Sequence, residues 1–167
     1  MNSLSPLQLK KHFFTRFSVR ANPGGTVAAQ QIIEPAISFE KNPESPNQWV
    51  LNLGIVLKSA KPEAPILYDA QLEMFGVVEV HTGFPPDKAE QLAVVNGLSL
   101  LYSATREMFQ TVTARCGHGS VALPVLSFVD VLASRPQVQP PPSTPPIAPA
   151  PAPAAPAQPT GPSPAPQ

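Results

Sequence analysis

Few residues of this chain combine the types and spacing that chemistry requires. Cys116-Gly117-His118 is the only local cysteine–histidine combination. A structural zinc site takes about four ligands at spacings such as C-x-x-C and H-x-x-x-H. His12 and His81 stand alone and no second cysteine exists, so no metal site is expected. A cysteine nucleophile needs its histidine brought up by the fold, and adjacency in sequence does not do that. The plainer expectation for His118 is the turn after a helix, where a histidine suits the dipole. Gly24-Gly25 is too short to cradle a phosphate, and no P-loop, G-x-G-x-x-G or G-x-S-x-G occurs. Arg106-Glu107 sets a base beside an acid, but neighbours on a helix point in different directions. Exposed or intersubunit ion pairs are expected there. The residues point away from an enzyme, and no cofactor is expected.

Composition divides the chain. It holds 24 prolines in 167 residues, and 14 of them lie within residues 136 to 167. That stretch has no Asp, Glu, Lys or Arg. Its Pro/Ala-rich composition cannot bury enough apolar surface to offset chain entropy, so a disordered tail is expected. Fully extended as polyproline II it would reach about 100 Å. Pro142-Ser143-Thr144-Pro145 fits a P-x-x-P ligand but lacks flanking bases, which favours a solubilising or spacing role. Residues 1 to 135 have the usual size of one domain and can bury a core.

Eleven basic and eleven acidic residues leave no net charge, and a general nucleic-acid binder carries an electrostatic footprint. The only basic cluster is Lys10, Lys11, Arg16 and Arg20, read as solvated strand positions. No nucleic-acid partner is expected. No apolar run approaches the 18 residues of a membrane span, and no secretory signal opens the chain. With one cysteine excluding an internal disulfide, the expected location is cytoplasmic.

Periodicity supplies the elements. Leu7, Leu9, Phe13, Phe17 and Val19 alternate with polar residues up to Arg20, a half-buried strand in which Phe14 breaks the polar side. Asn22-Pro23-Gly24-Gly25 ends it. Residues 27 to 40 alternate around Pro35, which marks an edge strand. Trp49 to Lys58 and 66 to 80 form two further strands, the last with Gly76 as a bulge or a close backbone approach. The period then becomes helical. Asp87 with Glu90 reads as a capping box, and Asn96-Gly97 as a kink. Leu98, Leu101, Tyr102, Thr105, Met108, Phe109 and Val112 follow in steps of three and four. Gly117 is placed as a C-cap, residues 118 to 126 are extended, and Ser127 begins a short last helix. Strands before helices predict an α+β fold with an antiparallel sheet. One helix cannot cover every apolar strand face, so the excess predicts oligomerisation or a binding groove.

Residues 98 to 132 carry a further pattern. Leu100, Leu101 and Tyr102 precede Arg106-Glu107; Arg115 and Phe128 follow. Upstream lie Phe17-Ser18-Val19 and the segment Leu72 to Val80 with Gly76 inside. In order and spacing, residues 7 to 134 resemble SecB, the bacterial protein-export chaperone family. The resemblance implies a four-stranded antiparallel sheet packed by a long helix in the C-terminal half and a short last helix. It implies a homotetramer, a dimer of dimers, that holds unfolded preproteins for export without ATP. It places polypeptide binding or the oligomer interface at Phe14, Tyr68, Ala70, Leu72, Met74, Phe75 and Val78, and makes Arg106, Glu107, Arg115 and Phe128 structural motif residues. The chain departs from the family in having no acidic tail. Arg16, Arg20 and Gln71 stand where the family's acids dock the translocase motor SecA, which counts against that contact. The alternative is a SecB-like adaptor or scaffold dedicated to one partner, such as an antitoxin, with the tail as a docking segment.

Overall fold

The structure, a computed structural model, describes residues 5 to 132. The tail at 136 to 167 and the domain limit at 135 lie outside the described residues. Two strands of alternating pattern form the centre of the sheet: β3 (Gln48–Ser59) and β4 (Tyr68–Val80). β1 (Leu7–Ala21) pairs with β4, and β2 (Gln31–Lys41) pairs with β3. The order is β1-β4-β3-β2, antiparallel throughout. Consecutive strands β1 and β2 therefore lie on opposite edges, joined by a loop across the end of the sheet. Asn22 N–H donates to Leu67 O at 3.0 Å and Thr26 N–H to Pro65 O at 3.0 Å, which ties that loop down.

Period two puts Trp49, Leu51, Leu53, Ile55 and Leu57 on one side of the sheet, all buried. Helix α1 (Pro86–Gln91), a π-helical turn (Leu92–Asn96) and helix α2 (Gly97–Thr113) follow without a break and cover this side. α2 packs over β4, β1 and β3 with Leu98, Leu101, Tyr102, Thr105 and Phe109 buried. Two glycines let it sit this close. A Cβ at Gly76 would stand 2.7 Å from Leu101, and one at Gly97 would collide with Leu51. The close approach expected at Gly76 is thus the structure's choice, and the expected kink at Asn96-Gly97 is a π turn ending at a packing contact. Among the described residues, no helix is long and apolar enough to cross a membrane.

Several local expectations are corrected. Pro85, not Asp87, holds the N-cap, with Pro86 in the first turn and no side-chain cap. Asp87 instead sits in the first turn, where a carboxylate suits the dipole. The left-handed residue after α2 is Gly119, with φ of 79°, rather than Gly117. The segment expected as a short last helix is, up to Leu132, extended and then a turn, in which Val131 N–H meets Phe128 O at 3.2 Å.

The first strand shows the largest difference. Its pairing with β4 shifts between Leu9 and Lys11 and again between Phe14 and Arg16. Each bulge inserts a residue and reverses the alternation beyond it. Between them Phe14 lies opposite Met74 on the helix side, and Phe13 lies opposite Phe75 on the open side. The alternation read from the sequence assigned these two phenylalanines the other way round.

Candidate functional site

Tyr68, Ala70, Leu72, Met74 and Val78, expected as a binding or oligomer surface, are only 0–6% exposed. They form the floor on which α2 packs, so within this fold they are core. Their alternation reports burial but not what does the burying. Phe14 and Phe75 remain partly exposed, on opposite sides of the sheet. Phe75 packs its ring 5.0 Å from that of Phe13. Tyr68 also has a fixing role: its hydroxyl donates to Gly119 O at 3.0 Å and accepts from His118 N–H at 3.1 Å.

Two apolar margins remain on the helix side. The first lies between β1 and α2. It is a groove of about 610 Å³ lined by His12, Phe14, Met74, Ala104, Glu107 and Met108, among others. Met108 is 43% exposed, and Leu100, two turns earlier on α2, is 44% exposed. Thioethers and an aromatic ring make this an adaptable surface. The sequence reading placed Met108 in the buried helical stripe. The stripe is narrower than that, because the helix centres on Leu101, Thr105 and Phe109.

The second margin lies toward β2. There Ile33, Ile37 and Phe39 share the core side but stay only half-buried, whereas their β3 partners Leu57, Leu53 and Leu51 are fully covered. The extended segment after α2 completes the cover of the core. It is held by α2 side chains at helical spacing. Arg106 Nε donates to Leu123 O at 2.9 Å, the Tyr102 hydroxyl donates to Pro124 O, and Val121 N–H donates to Thr113 Oγ1 at 3.0 Å. Phe128 closes it with its ring 5.7 Å from Tyr102. Burial pushes the Tyr102 phenol above its ordinary pKa, against a smaller opposing pull from Arg106. The outer side of this segment is apolar and bare: Val125 is 81% and Val129 62% exposed. Sequence reading found the extended stretch but not what pins it, since side-chain-to-backbone bonds leave no period.

The motif residues therefore separate. Arg106 and Phe128 anchor the segment, and Glu107 turns into the β1 groove. Arg115 is exposed. Arg106 finds a carbonyl where an ion pair was expected. Cys116 and His118 are likewise occupied with backbone. Cys116 Sγ approaches Val112 O at 3.4 Å, and His118 Nε2 lies 2.8 Å from Asn22 O. The basic stretch of β1 pairs across to β4. Lys10 lies 3.6 Å from Glu79, Arg16 3.3 Å from Glu73 and Arg20 3.1 Å from Asp69. A hydrogen bond from Gln48, more than Lys10, lowers the Glu79 pKa.

No family model and no curated protein matches the chain. Among solved structures it is similar to the SecB-like chaperone Rv1957 of Mycobacterium tuberculosis, determined in complex with a ChAD peptide from the Rv1956 HigA1 antitoxin. The likeness covers 73% of this chain and 91% of that one, with a TM-score of 0.53 and 17% identity. A protein of unknown function from Streptococcus agalactiae is more distant, at a TM-score of 0.42 and 12% identity over 71% of this chain and 97% of that one. The fold is SecB-like.

Proposed function

We propose that this chain is an ATP-independent holdase of the SecB type, which binds non-native polypeptide in the cytoplasm before export. The observation that carries the reading is the β2 margin. A half-buried row of Ile33, Ile37 and Phe39 lies on the core side of a SecB-like sheet, and the bare Val125 and Val129 stand on the segment that follows α2. Apolar area beside extended backbone holds an unfolded chain without a catalytic residue or a nucleotide. The working form is a homotetramer, as the SecB resemblance implies. A contact with SecA is the doubtful part of the reading, because Arg16, Arg20 and Gln71 stand where the family's acids dock it.

The test is light scattering of a thermally unfolding substrate with the full chain at stoichiometric ratio and no nucleotide. Suppressed aggregation is expected. A folded chain that leaves aggregation unchanged contradicts the reading. A second reading, an adaptor dedicated to one partner, is favoured by the antitoxin peptide carried by the similar Rv1957 structure. Pull-downs after brief unfolding stress separate the two. A holdase retains many precursors, and an adaptor retains one protein.

A further inference from the structure

We propose that the β2 margin selects among clients by charge: it takes extended apolar segments that carry an acidic residue at one end, seated on Lys41. The selection rests on the holdase reading and names the client that the margin favours. Ile33, Pro35, Ile37 and Phe39 alternate along the core side of β2, and Lys41, opposite Trp49, continues them. At about 3.3 Å per residue this row runs about 26 Å, the length of an extended segment of about eight residues.

The two ends of the row differ. At one end, Leu57 lies opposite Ile33 and lines a cavity of about 60 Å³ with Ala29, Ile66, Tyr68 and Val121, among others, none of them charged. At about 30 Å³ for each water, that is room for a small aliphatic side chain and not for a ring. The other end is a cation. Lys41 is exposed, and its ammonium stands 5.4 Å from the centre of the Trp49 ring. Trp49 is buried, so the contact holds the ammonium at the end of the apolar row. Among the described residues Lys41 has no carboxylate within ion-pair distance, whereas Lys10, Arg16, Arg20 and Lys58 each have one. The acids of β2 offer no substitute. Glu34 and Glu40 lie opposite Val56 and Val50, on the other side of the sheet, and Glu34 is held by Lys58 at 2.7 Å. Charge complementarity therefore names the occupant: an apolar chain fills the row, and its acid completes the pair that Lys41 leaves open. An exposed pair changes affinity by about fivefold at most. Lys41 thus ranks clients, and the apolar row supplies the affinity.

The test is calorimetric titration of the full chain with end-blocked peptides as long as the row. They alternate Val and Ser and carry Asp, Asn or Lys at the first or the last position. At one of the two positions the Asp peptide should bind about fivefold more tightly than the Asn peptide, and the Lys peptide more weakly. Lys41→Ala should erase the difference between Asp and Asn, and Lys41→Glu should put the Lys peptide first. Lys58→Ala, on the open side, should leave the ranking unchanged. The series on the unaltered chain guards against a variant that misfolds. No binding by any peptide, equal affinities at both positions, an Asp preference that survives Lys41→Glu, or a ranking that Lys58→Ala also erases overturns the selection. A chain that suppresses aggregation but binds the three peptides equally sinks the selection alone. An Asp-selective chain that leaves aggregation unchanged sinks the holdase reading alone.

Discussion

Edge strand β2 sets Pro35 opposite Ile55 and carries two acids; edge strand β1 carries four bases, two bulges and no proline. Above β1 lies α2, a regular helix whose outer stripe is apolar. After α2 comes an extended segment held by side-chain bonds, among them those of Tyr68, Tyr102, Arg106 and Thr113, and by the ring contact of Phe128. The same sheet thus has one margin beneath a regular helix and one whose apolar parts are covered by an irregular segment. An irregular segment with few backbone bonds belongs to the less stable end of a structure, where binding surfaces arise.

The largest expected effect strikes the segment after α2. Phe128→Ala should cost about 3 kcal/mol, as for other buried aromatic truncations, read as a shift of the urea midpoint. If the cost is near zero, the segment is not held by its ring and the contrast between margins fails. Arg106→Ala should cost about 2 kcal/mol, because it leaves the buried Leu123 carbonyl without its donor. Its effect should appear as faster hydrogen exchange from 119 to 128, not along β1. A pH series sharpens this. The raised Tyr102 pKa gives a contribution complete below about 10 and lost as the pH climbs through the raised value. Alkaline solution should free the segment, and Tyr102→Phe should flatten that dependence; an equal pH profile in both chains contradicts it. The smallest effect belongs to β1. A double-mutant cycle on Arg16 and Glu73 should give under about 1 kcal/mol, since both side chains are largely exposed. A larger coupling would mean that the ion pairs build β1 instead of merely neutralising it.

Much of the fold is legible in the sequence because burial on one side writes a period of two into β3 and β4 and steps of three and four into α2. β1 is less legible. Its bulges are fixed by pairing with β4, and nothing between Leu9 and Arg16 announces them. The site divides in the same way. Phe14 is found by its anomaly, as an aromatic on a polar side. Tyr68, Ala70, Leu72, Met74 and Val78 look the same in sequence whether their own helix or another chain covers them. The anchoring of residues 118 to 128 depends on Tyr102 and Arg106 meeting carbonyls some twenty residues away, and such contacts leave no local trace. The ion pairing of Lys10, Arg16 and Arg20 also needed the β1–β4 register.

The division of labour between the two margins is tested most directly by hydrogen exchange of the full chain, with and without a reduced, unfolded client protein. The account predicts new protection in 31–41 and 119–132 on client addition, with β1 equally protected before and after. New protection confined to β1, with the β2 margin unchanged, would contradict it.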